Sequence, residues 1–264
     1  MTERKKHIMN LLVLLVSCLC IGGALILFAS FGYNSDRIVA DIQVEIEADV
    51  PGQKSLLDTT EVFRIIQGSF PDGLVGRSLK NTDLDVLEEQ FEANPFIKEV
   101  QLYADKKNIL QIHVAERKPL LRVFSLKGAN YYIDFDGYPM PLSEHYSARI
   151  MTVTGHIPPL KEGEKVDSVK KVFDVFTIAN ALQSDTFMNG FINEIHVDHQ
   201  GQILLVPLIG DFRIEISETK EIDEKIENLK IFLKEGLSRV GWDKYSKLSI
   251  DYKNQIVGKK SLNP

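Results

Sequence analysis

Between Ile8 and Phe31 the chain reads IMNLLVLLVSCLCIGGALILFASF, with no Asp, Glu, Lys or Arg. A helix needs roughly 20 mainly apolar residues to cross a hydrocarbon core of about 30 Å, and this run supplies them. It divides the chain into a short tail (residues 1–7), a membrane-spanning helix (residues 8–31) and everything that follows. Arg4, Lys5 and Lys6 precede the run and Asp36 follows it. Positive charge stays on the cytoplasmic side, so the N-terminus is expected in the cytoplasm and the rest of the chain outside it.

Two rival readings of the same segment are weaker. A cleavable export signal has an apolar core of about 7–15 residues before a small-residue cleavage site, and this run continues past that length. Leu15-Val16-Ser17-Cys18 resembles a lipobox, in which Cys18 would carry a lipid, yet an apolar stretch follows where a polar tether is expected. Cys18 and Cys20, the chain's two cysteines, both lie in the run. The exported part therefore has no disulfide framework and no thiolate metal site. A net charge of −6 argues against nucleic acid as a partner, since a phosphate-binding surface needs clustered Lys and Arg.

After the anchor, Ile38, Ala40, Ile42, Val44 and Ile46 alternate with mostly polar residues, the period of a half-buried strand. Asp58-Thr59-Thr60-Glu61 has capping-box spacing and opens a helix with Val62, Ile65 and Ile66 on one face, ending near Gly68. The loop SFPDGLVGRS follows. Thr82-Asp83-Leu84-Asp85 starts a second helix through Leu87 and Phe91, which stops before Pro95. Two strands come next, with Val100, Leu102 and Ala104 on one and Leu110, Ile112 and Val114 on the other, around the turn DKKN. Two helices then cover one face of a three-stranded sheet, an α+β unit.

This order, with NPFIKEVQLY and the Glu116-Arg117-Lys118-Pro119 junction, resembles a POTRA domain followed by the second domain of the FtsQ/DivIB family of bacterial cell-division proteins. YYIDFDGYPMPL is similar to that family's Tyr-x-x-Asp-x-x-Gly hairpin, here Tyr131, Asp134 and Gly137, and IMTVTGHIP to its strand ending in a turn. A helix follows at about 166–182, with Val169, Val172, Phe173, Phe176 and Ala179 on one face. Strands in FINEIHVDHQGQILLVPLI and FRIEIS come next, then a second amphipathic helix using Ile222, Ile226, Leu229, Phe232, Leu233 and Leu237. The expected architecture is thus α+β: a single transmembrane helix, a POTRA-like β-α-α-β-β domain at 36–117, and a mixed β-rich domain with two amphipathic helices at 118–264.

Three patterns invite a chemical reading. Ser168-Val169-Lys170-Lys171 matches Ser-x-x-Lys, but Ser184-Asp185-Thr186 lacks the Asn of the companion element and no Lys-Thr-Gly occurs. His196-Val197-Asp198-His199 splits its side chains between the two faces of a strand at a turn, so it offers no convergent metal set. Asp134-Phe135-Asp136-Gly137 lacks the further oxygen ligands of a calcium loop and reads as a hairpin turn. No enzyme activity, cofactor, metal or small-molecule substrate is expected.

The segment YSKLSIDYKNQIVGKK reads as one final strand, with Leu248, Ile250, Tyr252 and Ile256 on one face and Ser249, Asp251, Lys253 and Gln255 on the other. An unpaired edge there would offer backbone groups to an extended partner, with Lys253, Lys259 and Lys260 discouraging indiscriminate pairing. The alternative is a strand that only closes its own sheet. Many family members carry an Asp followed by an Arg-Tyr pair on this strand, whereas this chain has Ile250-Asp251-Tyr252-Lys253, which leaves the register open.

The resemblance implies a non-enzymatic bitopic scaffold of the division complex, in the inner membrane at the septum with its main domains in the periplasm. It implies docking of the coiled-coil proteins FtsB and FtsL, together with other septal proteins, and control of septal peptidoglycan synthesis. The docking edge would comprise Leu248, Ile250, Tyr252, Lys253, Ile256, Val257 and Gly258, with Tyr252 and Ile256 foremost. Glu116, Arg117 and Pro119 would set how the second domain leaves the first, unless Glu116 and Arg117 are merely solvent-facing charge. The competing functions are a POTRA-bearing accessory of protein export or outer-membrane assembly, and a membrane-tethered cell-wall enzyme.

Overall fold

A computed structural model describes residues 37–47, 55–126, 128, 130–144, 146–161 and 163–261. The anchor expected at 8–31 lies outside the described residues, among which no helix is long and apolar enough to cross a membrane.

The first unit runs β1 (Asp41–Glu47), α1 (Thr59–Ser69), α2 (Leu84–Glu92), β2 (Ile97–Ala104) and β3 (Ile109–Glu116). Its sheet has the order β1-β3-β2, with β1 parallel and β2 antiparallel to β3. The caps act where the sequence places them. Asp58 accepts from Thr60 N (3.4 Å) and Asp83 from Val86 N (3.3 Å), satisfying amides that have no partner inside their helices. Asn108 takes a φ of 63° in the β2–β3 turn, where Asp105 accepts from Lys107 N and Ile109 N. Val62, Ile66, Leu87 and Phe91 bury against Val100, Leu110, Ile112 and Val114. Each such side chain contributes roughly 1.5–3 kcal/mol when fully buried.

The second unit is a nine-stranded sheet of order β12-β11-β10-β9-β8-β7-β4-β5-β6. Its strands are β4 (Pro119–Ser125), β5 (Tyr131–Asp134), β6 (Pro139–Met140), β7 (Met151–Gly155), β8 (Ile192–Val197), β9 (Ile203–Pro207), β10 (Arg213–Ile216), β11 (Tyr245–Tyr252) and β12 (Gln255–Lys260). Its core lies between the sheet and α3 (Lys170–Gln183), α4 (Thr186–Phe191) and α5 (Ile222–Ile231). After α5 the helix continues through a π turn, Phe232–Leu237, into the short α6 (Ser238–Val240).

Two expectations need correction. The helix read from 166 begins as a 3-10 turn at Val166–Ser168 and becomes α-helical at Lys170. It buries Val172, Val175, Ile178, Ala179 and Leu182 and packs Val169 and Phe176 partly buried against the same core, whereas Phe173, expected on that face, is exposed. The expected final strand is a hairpin, β11 and β12, turning at Lys253 and Asn254, with Asn254 at a φ of 55°.

The two cores meet. β5 is buried along its whole length: Tyr131 and Ile133 enter the second core, while Tyr132 enters the first, joined there by Met140 of β6. Leu142, Tyr146, Ala148 and Ile150 also pack on the first core, and Ser143 Oγ donates to Leu56 O (2.8 Å). Through Met140, Leu142, Tyr146, Ala148 and Ile150, this stretch straps the second unit onto the first.

Candidate functional site

Two places gather the residues the sequence singles out. At the far edge of the large sheet, β12 pairs with β11 on one side only. Leu248 and Ile250, placed on the interior strand β11, are buried in the second core. Tyr252, at the end of β11, is 58% exposed, and Lys253 stands in the turn. On β12, Ile256 is half-buried against the core, Val257 is 48% exposed, and Gly258 to Lys260 are exposed. Of the seven residues expected to form one docking face, Ile256, Val257 and Gly258 lie on the open edge itself, Tyr252 and Lys253 flank it, and two are core.

Beside this edge run two recesses. One, of about 110 Å³, lies between α5 and the hairpin and includes Glu221, Lys225, Asn228, Tyr252 and Ile256. The other, of about 480 Å³, lies between the end of the helix and β12 and includes Ile231, Glu235, Arg239 and Ile256. Asp251 ties the hairpin to its surroundings: it accepts from Ser217 N (2.8 Å) and faces Lys225 Nζ (3.5 Å). The exposed Lys253, Lys259 and Lys260 make the edge basic in an otherwise acidic chain.

The second place is the junction. Glu116 ends β3 and Pro119 begins β4, a position that tolerates proline because the first residue of a strand can forgo its donor. Glu116 and Arg117 are both partly buried, whereas Lys118 is exposed. Glu116 accepts from Leu56 N (2.5 Å), Leu57 N (2.9 Å) and Ser55 Oγ (2.9 Å). Burial raises its pKa above the ordinary 4.5, against the opposing pull of those donors and of Lys118. Arg117 donates to Ile97 O (3.0 Å) in the first sheet and to Asp134 Oδ2 (2.9 Å) in the second, and stacks over Tyr138 at 5.2 Å. Asp134, 1% exposed, also accepts from Tyr138 N (2.7 Å). Lys98 pairs with Asp136 at 2.7 Å, adding a bridge from β2 to the β5–β6 turn.

The remaining chemical candidates have structural partners. Lys171 Nζ donates to Gly201 O (2.6 Å), away from any role beside Ser168. Asp198 accepts from Gln200 N and Gln202 N and builds the β8–β9 turn, while His196 Nδ1 meets Thr154 Oγ1 at 2.7 Å on the open face of the sheet. Among the described residues no group of three or more His, Cys, Asp or Glu could hold a metal. Sequence reasoning missed Ser55, Leu56 and Leu57 as partners of Glu116, and missed Phe232 and Tyr245 beside β12.

Comparison with known proteins divides the chain at the same junction. Residues 37–115 match the family described as a POTRA-like domain, and residues 118–259 match the one described as FtsQ/DivIB, C-terminal related. Over 248 residues the chain is 25% identical to the cell division protein FtsQ of Geotalea daltonii (strain DSM 22248 / JCM 15807 / FRC-32), covering 91% of this chain and 86% of that protein.

Proposed function

The chain belongs to the FtsQ/DivIB family, and from that premise we propose that it is a non-enzymatic, single-pass scaffold of the bacterial division complex. In this reading the anchor at 8–31 holds it in the inner membrane at the septum, with both folded units in the periplasm. It gathers the FtsB/FtsL-like coiled-coil proteins and other septal proteins, and through them bears on septal peptidoglycan synthesis. A shared membrane plane raises the effective concentration of such partners, so modest contacts suffice.

The observation that carries the reading is the open edge of β12, flanked by two recesses and exposing Tyr252 and Val257. A free edge presents unpaired N–H and C=O groups that an added strand can satisfy, with side chains of alternate residues supplying specificity. The ladder directions give the edge a polarity. β4, β7, β8, β10 and β11 run one way and β12 the other, so β12 ends on the side of the sheet where β4 leaves the junction. A membrane-anchored partner segment rising past the first unit meets Lys260 first and pairs antiparallel. The lysines favour an acidic or neutral segment over a basic one.

In-cell photocrosslinking from Val257 and Tyr252 of the full-length protein, followed by mass spectrometry, tests this. Small single-pass proteins with heptad repeats are expected, and Ile256→Glu should remove them. Recovery of outer-membrane barrels or secretion components instead would replace this reading with that of an export or assembly accessory.

A further inference from the structure

β12 raises a physical difficulty. It has a partner on one side only, buries Ile256 only in part while its other five residues are exposed, and carries a glycine in its middle. Glycine weakens a strand, and a terminal ribbon with so little burial belongs to the least protected part of a fold. Nevertheless β12 pairs with β11 from Tyr245↔Lys260 to Tyr252↔Gln255.

The space above Gly258 is occupied. A Cβ built there would stand 2.5 Å from both Cδ1 and Cε1 of Tyr245, so the tyrosine ring lies directly on the glycine backbone. An aromatic residue that covers a glycine on the neighbouring strand replaces the missing side-chain burial. Tyr245 sits beside a register shift, between Tyr245 and Lys247, that leaves it packed against the core. Its ring is in turn backed by Phe232, at 6.1 Å between centroids and tilted by 56°. Phe232 opens the π turn Phe232–Leu237, and its own ring lies over a second glycine: a Cβ on Gly236 would come within 2.8 Å of it. Glycine inside a helix costs about 1 kcal/mol relative to alanine, and π turns recur at functional sites. Here both features make room for one ring.

We propose that Gly236, Phe232, Tyr245 and Gly258 act as a positioning stack that holds β12 in register as an ordered edge. The aromatic pair runs from the helix to the edge strand and ends on a glycine at either side. Tyr245 and Phe232 are positioning residues: they act on a partner through β12 and need not touch it. The stack matters to function on the reading that β12 is the docking edge, but its effect on β12 can be measured without any partner.

The test is hydrogen–deuterium exchange on the full-length protein in detergent. Tyr245→Ala should speed exchange of the β12 amides at least about tenfold while β8–β10 keep their protection, and Tyr245→Phe should behave as the parent. Gly258→Ala drives its methyl group into the ring and should also release β12. Adding Tyr245→Ala to Gly258→Ala removes that collision and should return part of the protection, a rescue that general destabilisation does not produce. Unchanged β12 exchange in Tyr245→Ala, or a double variant no better protected than Gly258→Ala, overturns the proposal. Crosslinking from Val257 in the same variants separates the two readings: released β12 with undiminished partner capture leaves the stack standing and refutes the docking edge.

Discussion

Asp134→Ala removes one carboxylate from the seam between the two units, and its cost follows from the geometry. The Asp134 side chain is 2% exposed and receives Arg117 Nη1 at 2.9 Å and Tyr138 N at 2.7 Å. Without it the Tyr138 amide loses its acceptor, worth about 1–3 kcal/mol for a buried donor. The Arg117 guanidinium also loses its counter-charge. Breaking a fully buried pair costs about 3–5 kcal/mol, but the Arg117 side chain is 22% exposed and still bonds Ile97 O, so water and that carbonyl offset part of the loss. About 3 kcal/mol is expected. For units of this size each kcal/mol lowers the melting temperature by about 2–4 °C, giving a drop of about 6–12 °C in a thermal scan of the full-length protein. Asp134→Asn keeps an acceptor for Tyr138 N and should lose about half as much. A double-mutant cycle with Arg117→Ala should show a coupling of about 2 kcal/mol. A change in Asp134→Ala below about 0.5 kcal/mol, in the range of ordinary surface substitutions, would refute the argument that this pair braces the seam.

Burial raises the Glu116 pKa above 4.5, so between the two values the folded protein holds this proton more tightly than the unfolded chain. Stability must therefore fall as pH rises through that window, and Glu116→Gln, which keeps an oxygen for Leu56 N and Leu57 N, should flatten the fall. Melting temperature against pH for both proteins checks this; parallel profiles would contradict it. Gly155→Ala should destabilise the second unit by about 3 kcal/mol or abolish its folding, because Gly155 has a φ of +91° and a Cβ there would lie 2.1 Å from Val197 O. Urea titration followed by far-UV circular dichroism measures it. Met140→Ala opens a cavity at the strap and should cost about 2–5 kcal/mol, with faster amide exchange in α1 and α2 of the first unit although the substitution lies in the second.

Local signals were legible where local chemistry decides the outcome. Asp58 and Asp83 start their helices, Pro95 follows the end of α2, and Asn108 turns the first hairpin. The last hairpin was hidden because its alternation continues across the turn. Leu248, Ile250, Tyr252 and Ile256 keep one parity, and a turn built on Lys253-Asn254 has no glycine to announce it. The roles of Glu116 and Arg117 could not be read locally, since their partners Leu56 and Ile97 come from distant segments that only the folded chain brings together. In Tyr131-Tyr132-Ile133 every residue is apolar, which reads as one buried strand and does not reveal that its two faces serve different cores.

The strap from 139 to 150 bears on how such a chain can be cut or recombined. Severing the chain at the junction after Arg117 would leave Tyr132, Met140 and Leu142 without the surface they cover, and would unroof the first sheet's core in the detached piece. A chimera that imports a foreign first unit must therefore import the matching 139–150 segment with it. Inheritance should bind the two together in the same way: a change of volume in the first core is expected to be answered among Tyr132, Met140 and Tyr146, which share that core, across a boundary that looks, along the sequence, like a clean place to cut.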